Sequence, residues 1–142
     1  EYEWQWRPQE LIKTQFVSHP NIPHFQDAEL VPEDQSHPAT RHLPENWIQN
    51  DEWYTFADSP REKVNVLVSI DEDSYNPSTW MFGRDLAMGD HPMIWHHAVG
   101  KGRVFYSALG HQASSYSDEN YRTLLLEASK WLMDKPVEEA AE

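Results

Sequence analysis

Residues 64–70 (VNVLVSI) alternate more regularly than any other stretch, with Val64, Val66, Val68 and Ile70 on one side and Asn65, Leu67 and Ser69 on the other. A period of two predicts a strand. Residues 93–97 and 103–108 read as two further strands. Between them Val99-Gly100-Lys101-Gly102 supplies the glycines that a tight reversal needs, which predicts a hairpin. From Tyr121 the period changes. Tyr121, Leu124, Leu125, Ala128, Trp131 and Leu132 recur three and four residues apart, the stripe of a helix. Ser117 or Asp118 caps its start and Pro136 limits its end. The helix over 120–133 is expected to pack on one sheet holding 64–70 and the hairpin 93–108.

The remaining elements are weaker. Residues 1–7 are polar and aromatic by turns, and Pro8 interrupts them. Residues 11–17 (LIKTQFV) predict a short strand stopped by His19-Pro20, and Pro20 and Pro23 keep the next stretch extended. Residues 28–31 predict a strand, 36–44 a loop with one helical turn, and 47–56 (WIQNDEWYTF) an aromatic-rich strand. Residues 58–61 (DSPR) mark a turn and 71–89 a long loop. Residues 137–142 form an acidic tail expected to fray. Several strands thus accompany one long helix. A parallel sheet needs helices on both faces, so the sheet is small and mixed, or its partner helices lie outside this chain.

Charge and composition narrow the function. Against 24 Asp and Glu stand 11 Lys and Arg, a formal charge of -13. A duplex nucleic-acid binder needs a cationic face, and an anionic membrane attracts basic segments, so neither partner is expected. No apolar run approaches the roughly 20 residues that span a bilayer, and no cationic start precedes an apolar stretch. With no Cys, disulfides, thiolate metal sites and a Cys nucleophile are excluded within these residues. Hydrophobic residues are only 39%, yet 7 Trp, 6 Tyr and 5 Phe give a core enough area. Rings combined with excess carboxylates also suit a carbohydrate, which offers C–H faces to rings and hydroxyls to carboxylates. Most individual rings are expected to be core.

The 8 His need sorting. His19, His37 and His91 each precede Pro, which favours an extended or turn conformation, and His19 is expected only to shape its loop. Asp90-His91-Pro92 stands at the mouth of a predicted strand, where ligand groups gather in α/β sheets. His96 and His97 are adjacent in a strand and face opposite sides, so one metal site built from both is not expected. His111 follows a strand at Leu109-Gly110-His111, with Ser114 and Tyr116 on the same rim. Its ring suits general acid or base work; the plainer reading is a surface-loop His. In Asp51-Glu52-Trp53-Tyr54 a strand would put Asp51 and Trp53 on one face, Glu52 and Tyr54 on the other. Those four read either as a cleft wall or as a solvated edge strand. No P-loop, dinucleotide glycine motif, HExxH or Gly-x-Ser-x-Gly elbow occurs.

Asp51-Glu52-Trp53-Tyr54, Gly89-Asp90-His91-Pro92 with Trp95 and His97, Gly100-Lys101-Gly102-Arg103-Val104-Phe105-Tyr106 and Leu109-Gly110-His111 occur in an order that resembles the trehalose-utilisation (ThuA-like) domain. His37-Pro38-Ala39-Thr40 and Leu43-Pro44 upstream and Tyr116-Ser117-Asp118 downstream extend the resemblance. It implies a bacterial protein with a flavodoxin-like α/β fold of the class I glutamine-amidotransferase-like type. Residues 1–136 would be the C-terminal part of that domain, with a mixed sheet, a β-hairpin and a C-terminal helix. Two departures stand out. The family commonly has Trp-Tyr-His-Glu where this chain has Trp95-His96-His97-Ala98, so a carboxylate is lost at Ala98. The segment 74–88 is longer than the family pattern leads one to expect.

The resemblance implies a role in carbohydrate catabolism, with acid/base chemistry on a disaccharide or its keto derivative, and no glutaminase activity. His111 and His91 are the expected acid/base groups, Glu52 and Asp90 the supporting carboxylates, and Tyr54, Trp95, His97 and Tyr116 the sugar contacts. His91, Trp95 and His111 are expected around one concave site. A non-catalytic sugar-binding or assembly domain is one alternative. A metal-dependent hydrolase using His91, His97 or His111 is another; no cofactor is expected, and zinc stays open. Expected partners are a small carbohydrate, the front part of the domain and a second copy. Alternatively residues 1–16, with Trp4, Trp6 and Phe16, cover the exposed surface. The compartment stays open between bacterial cytoplasm and periplasm.

Overall fold

A computed structural model describes residues 8–78 and 85–134. The segment expected as a strand over 11–17 instead begins as a short helix, α1 (Pro8–Ile12). Proline suits the first helical turn, and Gln, Glu and Leu are good helix formers. The helix stops at Lys13, whose φ is 70°. Thr14 Oγ1 then donates to the Asp58 carbonyl at 2.8 Å and anchors the turn. Only Phe16–Ser18 is extended, as β1.

Five strands form the main sheet: β2 (Gln26–Pro32), β3 (Trp47–Asp51), β5 (Asn65–Ile70), β6 (Pro92–Val99) and β7 (Gly102–Ser107), in the order β3-β2-β5-β6-β7. Every neighbouring pair is antiparallel. Among the described residues this corrects the expected mixed sheet. The connections are loops and one tight hairpin, whereas a parallel pair needs a crossover, usually helical. The run 47–56 is also not one strand. It breaks after Asp51, and β4 (Thr55–Phe56) leaves to pair with β1 in a two-stranded sheet.

The hairpin β6–β7 forms as expected, with Gly100 at φ 57° in its turn. The final helix, α2 (Glu119–Met133), is capped by the Asp118 carboxylate, which accepts from the Tyr121 amide at 2.7 Å. It buries Tyr121, Leu124 and Ala128. Near its far end Arg103 donates to the Trp131 carbonyl at 2.8 Å and lies over the Trp131 ring. His37 and His96 both meet that ring edge-on.

The sheet is covered on both faces at its centre. Toward α2, His96 stacks on His37 at 4.8 Å. On the opposite face Trp95 stacks on its cross-strand partner Tyr106 at 4.3 Å and meets Phe56 edge-on, while its indole N–H donates to the Ile12 carbonyl. Leu67, on the polar side of the alternation in β5, is therefore fully buried with Val68. Residues 1–7 and the tail 137–142 lie outside the described residues, as do Trp4 and Trp6 of the expected N-terminal cover.

Candidate functional site

The break between β3 and β4 places four consecutive side chains. Asp51, 1% exposed, is a hub. One carboxylate oxygen accepts from the Glu52 amide at 2.9 Å and the His111 amide at 3.1 Å. The other accepts from the Gly110 amide at 2.6 Å and the Ser115 hydroxyl at 3.1 Å. A side chain thus satisfies donors that a sheet ladder would otherwise take, and the loop carrying His111 is tied to the end of β3. Trp53 turns inward, its indole N–H on the Gln26 carbonyl at 2.9 Å.

Glu52 lies beneath three imidazoles. Its side chain is 5% exposed, against 30% for His19, 44% for His24 and 45% for His111. His19 Nε2 is 3.3 Å from Glu52 Oε1, and His24 Nε2 bonds the same oxygen. His111 Nδ1 is 3.0 Å from Oε2 and 3.3 Å from the Tyr54 hydroxyl. Burial pushes the Glu52 carboxyl up, but the hydrogen bond from His24 and the neighbouring His19, Tyr54 and His111 side chains outweigh it and hold the group below its usual value. Burial and the Glu52 charge raise the Tyr54 phenol, which stays protonated. Phe16 meets Tyr54 edge-on at 5.0 Å, and His24 stacks between His19 at 4.9 Å and Phe25 at 4.3 Å. The result is a buried anion under a half-open rim of rings. With Nδ1–H of His111 directed at Glu52, its Nε2 carries the lone pair of a general base.

Glu52, Tyr54 and His111, expected from the sequence, are thus together. The other expected residues are not part of this cluster. His91 is 2% exposed; its Nδ1 meets Glu72 at 2.8 Å and its Nε2 donates to the Tyr54 carbonyl at 2.8 Å. Glu72 also accepts from the Met88 and Gly89 amides, so this pair closes the long loop after β5. A ring with both nitrogens committed and no exposed surface supports the chain from within. Trp95 is 0% exposed and offers no face to a sugar. His91 and Trp95 therefore do not share an open concave site with His111, and buried packing is the reason. Asp90 is bound by Arg61 and Ser59, in a network that continues to Glu33. His97 is buried, and neither ring nitrogen has a partner among the described residues. Tyr116 is 51% exposed and packs edge-on against Tyr121 beside Gly110.

Sequence reasoning set His19 aside as a loop former, and did not single out His24 or Glu72. His19 reaches Glu52 because β1 pairs with β4, and His24 because the β2–β3 register sets Gln26 opposite Asp51, both contacts between segments distant in sequence. A groove of about 330 Å³ lies beside the β1–β4 sheet, lined by Val17, Phe56 and residues 85–88, and contains none of the imidazoles.

The chain matches the family model described as trehalose utilisation (ThuA) over residues 1–132. It belongs to the ThuA family. A ThuA-like protein from Bacteroides uniformis is similar in structure, with a TM-score of 0.72 and 27% identity, covering 94% of this chain and 53% of that one. A ThuA-like protein from Parabacteroides merdae shares the fold, with a TM-score of 0.58 and 24% identity, over 88% of this chain and 44% of that one. The ThuA chain described here spans about half the length of these structures. No curated protein matches it at a significant level. The description of the family, trehalose utilisation, points to carbohydrates. No helix among the described residues is long and apolar enough to cross a membrane.

Proposed function

We propose that this ThuA-family chain carries the acid/base groups of a carbohydrate-processing site whose substrate is a disaccharide or its keto derivative, on part of a flavodoxin-like α/β domain. One observation carries the reading: His111 rests its Nδ1 on the buried Glu52 carboxylate while its side chain stays 45% exposed. A ketone acidifies the neighbouring C–H. His111 Nε2 takes that proton, leaving an enolate, and Glu52 balances the imidazolium. Where the deprotonated carbon bears a hydroxyl, moving that hydroxyl proton to the enolate oxygen and returning the abstracted proton to the former carbonyl carbon shifts the ketone by one position and isomerises the sugar. Giving the abstracted proton instead to a glycosidic oxygen placed β to the carbonyl, as that C–O bond breaks, cleaves the disaccharide. Phe25 and Tyr54 border the rim and offer ring faces to the sugar.

The portion of the related structures that this chain does not span is the proposed counterpart completing the site. A non-catalytic sugar-binding domain is the second reading, favoured by the openness of His24 and His111. Deuterium exchange at the carbon beside the ketone of a 3-keto-disaccharide, followed by NMR, separates the two. Acid/base chemistry predicts exchange by the parent that falls roughly 100- to 10,000-fold in His111→Asn. Saturable binding with no exchange above the buffer rate establishes the second reading and removes the first.

A further inference from the structure

The contacts on Glu52 are not all explained by an acid/base pair. A neutral imidazole has one N–H and one lone pair. His19 Nδ1 lies 3.0 Å from the Pro20 carbonyl, which can only accept, so Nδ1 carries the proton. Its Nε2 then presents a lone pair to Glu52 Oε1 at 3.3 Å, two acceptors face to face. A second Nε2, that of His24, converges on the same oxygen. A shared cation, a metal ion or a proton, turns that arrangement from repulsive to attractive.

The donor set fits a metal. The ligand atoms of His19, His24 and Glu52 all lie within 4.8 Å of one another. Ligands about 2.0–2.1 Å from a tetrahedral zinc are roughly 3.3 Å apart, which the His19–Glu52 pair already matches at 3.3 Å. The Pro20 carbonyl fixes the His19 tautomer, as outer partners do for metal-bound imidazoles. Stacking of His24 on His19 and Phe25 holds both rings in near-parallel planes, 20° and 15° apart.

We propose that His19, His24 and Glu52 form a site for a divalent transition-metal ion, with the two Nε2 atoms and Glu52 Oε1 as ligands. Glu52 Oε2 still accepts from His111, so that imidazole stays outside the coordination shell and is oriented through the carboxylate. Three protein ligands leave a position open at the rim, where water or a sugar oxygen can bind. Imidazole and carboxylate select zinc or a neighbouring first-row ion over magnesium, which demands oxygen ligands. The site stands independently of the sugar reading, because metal affinity is measured without any substrate.

The test is calorimetric titration of the chelator-stripped chain with zinc, and separately with magnesium. One zinc per chain at micromolar affinity or tighter is expected, with no heat from magnesium. His24→Ala should weaken zinc at least about 100-fold, equivalent to about 2.7 kcal/mol. Its half-exposed side chain lets the variant fold, which circular dichroism checks. His111→Ala should keep the stoichiometry and weaken zinc only about 10-fold, the loss expected of a partner that orients a ligand without touching the metal. Binding that survives in a His19→Ala/His24→Ala double variant overturns the proposal. So does absence of saturable zinc binding below millimolar, or a loss in His111→Ala equal to that in His24→Ala.

Discussion

Replacing Asp51 by Asn changes one buried atom and keeps the shape. The carboxylate accepts four hydrogen bonds: Glu52 N and His111 N on one oxygen, Gly110 N and the Ser115 hydroxyl on the other. An amide has one oxygen. In its better orientation the new NH₂ replaces the second oxygen; the Ser115 hydroxyl can turn to accept, but the Gly110 N–H is left facing another donor. A hydrogen bond to a charged acceptor contributes about 1.5–3 kcal/mol, and an unpaired buried donor costs about 1–3 kcal/mol. The substitution should therefore destabilise by roughly 2–4 kcal/mol. At about 3 °C per kcal/mol for a chain of this size, the melting temperature should fall by roughly 6–12 °C. Thermal melts by circular dichroism measure this, and amide hydrogen exchange at Gly110 and His111 locates it. His111 should also lose its placement over Glu52, so any proton-exchange activity falls although both residues remain. A melt within about 1 °C of the parent, with unchanged exchange at Gly110, would refute the hub.

Three further outcomes follow from separate parts of the fold. Burial, then the neighbouring His96, lowers the His37 pKa to about 4. The unfolded chain therefore takes up this proton near pH 6.5 and the folded one only near 4, so stability is intact above pH 6.5 and falls between 6.5 and 4, by up to roughly 3 kcal/mol in total. Urea melts across that window check the slope; His37→Asn, which can still accept from the Ala39 amide, should flatten it. Gly110 has φ 104°, and a Cβ there would lie 2.6 Å from the Tyr121 hydroxyl. Gly110→Ala should destabilise by about 1–3 kcal/mol through strain, with a melt equal to the parent contradicting this. Leu124, fully buried under the sheet, should cost about 2–5 kcal/mol as Leu124→Ala in the same melts.

The hairpin, β5 and α2 were legible because their signals are local. Gly100 sits at the positive φ its turn requires, Asp118 caps the helix, and the stripe through Leu124 and Ala128 is buried. The break at Asp51 was not legible. Residues 47–56 have the composition of a strand throughout, and only the loop at 110–115, far along the chain, shows where the Asp51 oxygens are needed. The chemical types of Glu52, Tyr54 and His111 can be read locally, but the burial of His91 and Trp95 cannot. Trp95 and His91 look like site residues until α1 and β4 cover that face, and neither covering segment announces its destination locally. His19 and His24 were passed over for the converse reason, since their significance lies in the pairing of β1 with β4 and of β2 with β3.

The adjacency of Asp51 and Glu52 makes this stretch of backbone a ruler. One carboxylate grips the loop that carries His111, and the next, a single methylene longer, reaches the imidazoles. Exchanging their order would preserve charge, composition and overall hydropathy, yet leave each group at the wrong reach for its partners. An inserted or deleted residue at the β3–β4 crossing would do the same. In related chains, length should therefore be held constant at this crossing more strictly than in the loop between residues 74 and 88, where extra residues displace neither acid.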